Sequence, residues 1–83
     1  LNMETKCFFI RLIGQVKERE LKDGVFQYLL EKLNSADNPA IKKAVCKSLI
    51  CLCGKDIANS KETLKIKSPK DRDLLISLSK IFK

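Results

Sequence analysis

Four cysteines and a surplus of lysine are the residues of this 83-residue chain whose chemistry could set a function, and histidine is absent. Cys46, Cys51 and Cys53 fall in one stretch, Asn38 to Gly54, while Cys7 stands apart. As metal ligands they are poorly placed, because C-x4-C-x-C lacks the paired C-x2-C spacing of a zinc site and no imidazole can complete the set. As disulfide partners, in a secreted protein, four cysteines would allow three pairings. If the stretch is one helix, positions seven apart lie about two turns from each other, too far for a bridge, and the nearer pairs point in different directions. The thiols therefore read as free and buried among aliphatic residues, where a thiol is inert. Free thiols fit a reducing compartment, cytoplasmic or nuclear.

The remaining polar residues give no catalytic constellation. Without histidine, a glycine-rich phosphate loop or carboxylates paired on an apolar face, the chain is expected not to be an enzyme and to use no cofactor. The formal charge of +7 is uneven: residues 1–34 hold six basic and five acidic groups, residues 35–83 eleven and five. Lys43, Lys47, Lys61, Lys65 and Lys67 could thus line a face that attracts phosphate or an acidic partner. The bland alternative is a solvated lysine surface, and it is favoured by the use of Lys over Arg and the shortage of exposed aromatics for base stacking. Nucleic-acid binding no better than weak and non-specific is expected.

The element that must position everything else is Asn38 to Gly54, NPAIKKAVCKSLICLCG. At about 100° per residue its apolar side chains cover most of a helix circumference, leaving Lys43 and Lys47 as a narrow wet strip. A helix this apolar is central and needs neighbours on several sides. Asp37 or Asn38 can cap it, Pro39 suits its first position and Gly54 can close it. Ser48 is small enough for a packed seam, and the stem of Lys42 can carry its charge to water.

Before it, Glu4 to Glu18 reads as an amphipathic helix with Phe8, Phe9, Leu12, Ile13 and Val16 on its buried side, Cys7 and Ile10 widening the arc. Gly14 inside it marks a close approach of another backbone. A second helix, from Leu21 or Asp23 to Leu33, buries Val25, Phe26, Leu29, Leu30 and Leu33. Tyr28 lies off that stripe, facing solvent or a neighbour. Residues 34–39 are turn formers short enough to fold the next helix back as a hairpin. After Gly54 the pattern weakens, predicting a loop with one turn of helix around Ser60 to Leu64. Ser68-Pro69-Lys70-Asp71 then starts a last helix, with Asp71 reaching back to the cap and Leu74, Leu75, Leu78, Ile81 and Phe82 inward. Arg72, Asp73, Ser79 and Lys80 are expected outside.

The fold expected is all-α, antiparallel helical hairpins with about four main helices in a single domain. The hydrophobic content of 45% suffices for one core. No run approaches the roughly 18 apolar residues of a membrane span, and the start carries no secretory signal, so a soluble chain is expected. Beginning at Leu1 and ending just after Ile81-Phe82, it reads as an excised fragment.

The hairpin Leu21 to Gly54 resembles one unit of the HEAT or armadillo type. The matching residues are Asp37 at the turn, then Ile41, Lys42, Ala44, Leu49 and Leu52 at helical spacing, with Lys42 and Lys43 where the usual repeat favours Arg and Val. The resemblance implies a fragment of a right-handed α-solenoid, with Glu4 to Glu18 and Ser68 to Phe82 belonging to neighbouring units; a small helical bundle is the alternative, and flanking repeats at a fixed period would decide between them. It also implies a scaffold that binds protein partners or itself. Tyr28 and Phe82 are the candidate apolar anchors, and no membrane partner is expected.

Overall fold

Each helix begins or ends where the chain supplies the means. The computed structural model describes residues 2–81 and contains α1 (Met3–Ile13), α2 (Arg19–Ser35), α3 (Pro39–Cys53) and α4 (Pro69–Ile81). Asn2 caps α1, its side-chain oxygen accepting from the Thr5 N–H at 2.8 Å. Of the two candidate caps for α3 it is Asn38 that serves, accepting from the Ala40 N–H at 2.8 Å with Pro39 behind it. Gly54 ends α3 at φ 79°, a conformation that favours glycine. Two 3-10 turns, Lys55–Asn59 and Lys61–Lys65, fill the connection to α4. Among the described residues there is no strand, and Phe82 lies outside them.

α3 is the central element, as its apolar circumference requires. Val45, Cys46 and Leu49 are wholly buried, and α1, α2 and α4 all pack on it. The four helices make an all-α globule whose radius of gyration, 11.6 Å, is that of a compact chain of this length, about 11.8 Å. The buried stripe of α2 is the expected one, Phe26, Leu29, Leu30 and Leu33, with Val25 partly covered.

The direction of the chain follows from a few contacts. The Cys7 thiol meets the Ala40 carbonyl at 3.7 Å, while further along both helices the Ser48 hydroxyl donates to the Ile10 carbonyl, so α1 runs alongside α3 in the same sense. α2 returns between them in sequence, three residues short of α3. The N-termini of α3 and α4 lie at one end of the molecule, where Lys42 Nζ is 3.1 Å from Asp71 Oδ1.

Gly14 has the close neighbour that its position inside an apolar segment implied. A Cβ there would stand 2.7 Å from Ser48 Cα and Cβ and 2.8 Å from its carbonyl oxygen. Helix α1 is shorter than predicted, ending at Ile13, and Gly14 is its C-cap. The face it turns inward also differs. Seating Gly14 on Ser48 directs Ile10 and Cys7 to α3 and turns Phe8 (61% exposed), Phe9 (53%) and Leu12 away from it.

Four expectations are corrected at α4, and one is extended in the segment before it. Asp71, expected to reach back to the cap, is instead buried and ion-paired to Lys42, the two side chains 4% and 27% exposed. Ser79 faces inward, its hydroxyl donating to the Ile76 carbonyl, and Arg72 is half-buried with Nη2 3.5 Å from the Ile66 carbonyl. Ile81 is exposed instead of buried. The turn of helix expected around Ser60 to Leu64 is present as Lys61–Lys65, and the supposed loop before it holds another, Lys55–Asn59, the segment being fixed by Ile57, Thr63 and Ile66, all buried. With Ser60 they recur every third residue, the period of a 3-10 helix.

Two glycines give opposite expectations for the same substitution. Gly14→Ala should destabilise the fold by about 1–3 kcal/mol, because the overlap is with backbone that cannot rotate away. Gly24→Ala, with nothing within 4 Å of the added Cβ, should stabilise by about 0.5–1 kcal/mol. Urea midpoints of the two variants check the pair. At the ion pair, Lys42→Met leaves a buried carboxylate without its partner and should cost about 2–3 kcal/mol, less than for a fully dry pair since Lys42 keeps contact with water. Adding Asp71→Leu should recover most of that loss, and a double variant no more stable than Lys42→Met would contradict the assignment.

Candidate functional site

One site that exposes apolar surface is a consequence of α1 and α2 both packing on α3. Between them an open cleft of about 780 Å³ is lined by Phe9 and Ile13 of α1, Val25 and Tyr28 of α2, and Ile41 of α3. Phe9 and Tyr28, the latter 44% exposed, are aromatic residues on opposite walls. Because α1 runs with α3 and α2 against it, Lys6 near the start of α1 and Lys32 near the end of α2 stand at the same end of the cleft. Lys32 Nζ lies 5.6 Å from the centre of the Tyr28 ring, a cation–π distance that holds the lysine along the rim. Gly24 lines the other end.

Tyr28, placed off the stripe by its helical angle, is thus a wall of this cleft. Phe9, Gly24 and Ile41 were not singled out as site residues, although the chain carries a signal for them. Helix α1 has more apolar residues than one buried face can use, Cys7, Phe8, Phe9, Ile10, Leu12 and Ile13 in succession broken only by Arg11, and two faces follow from that surplus.

The five candidate lysines are distributed over three segments. Lys43 is exposed on α3, and Lys47, one turn later, lies beside Arg11, Gln15 and Cys51 around a small depression of about 100 Å³. Lys61 and Lys65 are exposed on the second 3-10 turn. Lys67 is exposed, and its backbone N–H donates to Asn34 Oδ1 at 3.0 Å, tying the end of that segment to α2.

All four cysteines are free, but they are not equally buried. Cys46 is in the core, where burial, and to a lesser extent the charge of Asp71, push its thiol up to about 12 against an opposing effect of Lys42. Cys51 and Cys53 are exposed, which corrects the expectation of a wholly buried set. Cys51 falls on the wet strip with Lys43 and Lys47, and Cys53 is the last residue of α3. Partial burial still raises the Cys53 thiol, helped by Glu62 and opposed by Lys22. Glu62 is itself held low, first by the neighbouring Ser60 side chain and then by its own backbone N–H, with Lys65 and Lys61 adding to the effect. Among the described residues no three His, Cys, Asp or Glu side chains cluster where they could hold a metal ion, and no helix is long and apolar enough to cross a membrane.

Comparison with protein-family models, with curated proteins and with solved structures gave no match to this chain. What is established is a small all-helical protein of four helices.

Native thiol labelling near neutral pH should modify Cys51 first, Cys53 more slowly because its thiolate is disfavoured, and Cys46 only on unfolding. Peptide mapping by mass reads the order. For Cys46 the folded state holds the proton more tightly than the unfolded chain. Its contribution to stability is therefore complete below about 9 and declines as pH rises towards about 12. Cys46→Ala should weaken that alkaline decline in a series of urea midpoints.

Proposed function

We propose that this protein is a non-catalytic protein-interaction module of the HEAT or armadillo helical-repeat type, and that its binding site is the α1–α2 cleft. The observation that carries the reading is the opposition of Phe9 and Tyr28 across an apolar cleft floored by Ile41. Rigid aromatic residues over a desolvated floor are the usual source of anchoring energy in protein interfaces. Their exposure in the isolated chain is a cost that a bound partner removes. The repeat reading is supported by the arrangement of the helices: α1 and α3 run side by side in one sense with α2 returning, as equivalent helices of stacked units do. In that arrangement the outward Phe8 and Leu12 of α1 form the surface on which a neighbouring helical pair stacks. Free thiols favour a cytoplasmic or nuclear setting for such a module.

Phosphate contact through Lys43, Lys47, Lys61, Lys65 and Lys67 is the second reading, supported by the positive charge of the chain's second half. A peptide-display selection on the native chain, followed by affinity measurement on Phe9→Glu, separates the two. Selected peptides should bind the native chain and lose at least about tenfold on Phe9→Glu, whose outward side chain leaves the core intact. In parallel, binding to a generic duplex and single strand should be weak near physiological salt. Tight, salt-sensitive nucleic-acid binding by a monomeric chain, with peptides indifferent to Phe9→Glu, would overturn the proposal in favour of the lysine surface.

A further inference from the structure

Resting on the cleft reading above, we infer that the occupant is an acidic amphipathic α-helix of about three turns. The first argument is length. The α2 wall runs from Gly24 to Ser35, eleven residues apart and so about 16 Å, which accommodates about three turns of a second helix.

The second argument is hydrogen bonding. Both walls and the floor are helices, whose backbone N–H and C=O groups are already paired along most of their length. An extended peptide laid in the cleft would leave its own backbone groups unmatched on the buried side. A helix brings its backbone already satisfied and presents only side chains, the helix-in-groove mode of recognition.

The third argument is charge. The only charged residues lining the cleft among those described are Lys6 and Lys32, at the same end, and none is acidic. Lys32 is already steered along the rim by the Tyr28 ring. Two ammonium groups beside an apolar cleft, on a chain of formal charge +7, select a helix whose apolar stripe ends in carboxylates, and reject a basic one.

The fourth argument concerns Gly24. A glycine inside a helix weakens it, and here no intramolecular neighbour explains it, since an added Cβ meets nothing within 4 Å. Its place on the cleft wall leaves room for the occupant's backbone to approach most closely there, while Phe9 and Tyr28 grip the stripe nearer the lysine end.

The only tyrosine of the chain is Tyr28, and there is no tryptophan, so its fluorescence reports cleft occupancy directly. The probes are three peptides of about 14 residues lacking Tyr and Trp: a Leu-striped helix with Glu on its flanks, the same helix with Lys in place of Glu, and a scrambled acidic sequence. The acidic helix should change Tyr28 emission saturably and bind about five- to tenfold more tightly than the basic one, with the preference shrinking in high salt. Lys6→Glu/Lys32→Glu should reverse the preference. Gly24→Leu should abolish binding while the unfolding midpoint of the chain is retained or raised. Equal binding of acidic and basic helices, or self-association through the cleft in a sedimentation run, would overturn the inference and leave the cleft as a protein site. No response to any peptide up to about 1 mM, with the chain monomeric, would remove the cleft reading as well.

Discussion

The structure depends on one constraint: α3 is apolar around most of its circumference and cannot face water on more than a narrow strip. Val45, Cys46 and Leu49 are wholly buried only because α1, α2 and α4 each spend a face on it. The tightest of those contacts sets the others. Gly14 lets α1 approach to the distance at which a Cβ would overlap Ser48, and the Ser48 hydroxyl is satisfied by the Ile10 carbonyl, a group from α1 itself. Once α1 is seated that way, its inner face is the narrow one of Cys7, Ile10 and Gly14. Its bulkiest side chains are left to point elsewhere.

The N-terminal end of α3 carries the corresponding polar constraint. Lys42 in the first turn of α3 meets that helix's positive end, an arrangement that would be unfavourable alone. Asp71 in the first turn of α4 lies at a favourable place for a carboxylate, and the pair offsets both Lys42's position and the burial of Asp71. Burial, aided by the same carboxylate, keeps the neighbouring Cys46 protonated. The α3–α4 junction is thus a small charged cluster inside an otherwise apolar contact, sensitive to the loss of either partner.

The parts of this fold that were legible in the sequence are those governed by local chemistry. Asn38-Pro39 and Gly54 bound α3 because capping and a positive φ have few alternatives, and Gly14 and Ser48 advertised a close contact by being small in apolar surroundings. The inward face of α1 was not legible in the same way. Apolar residues occur on both of its sides, and only the tertiary contact at Gly14 decides which side is used. After Gly54 the turn around Ser60 to Leu64 was legible but the one before it was not, because the period sought was 3.6, whereas Ile57, Ser60, Thr63 and Ile66 repeat at three and are closed by hydroxyls bonding back to Ile57 and Ser60 carbonyls. Asp71 followed local capping rules on paper, and a partner on another helix claimed it. The cleft itself could not be read from any single segment, because it is the space between two helices. Tyr28 and the apolar surplus of α1 were its only traces.

The cleft and the core are two results of the same packing choice. If α1 used Phe9 and Ile13 as its buried centre, it would close on α2 and fill the cleft, but Gly14 would leave Ser48, and the seam with α3 would have to open to admit larger side chains. Keeping that seam holds α1 against α3 along its length, and α1 and α2 are then kept apart above Ile41. The exposed aromatic walls are therefore not a packing defect that a small shift of α1 could heal. They are fixed by the contact that seats the helix, so the cleft is built into the packing of α1 on α3.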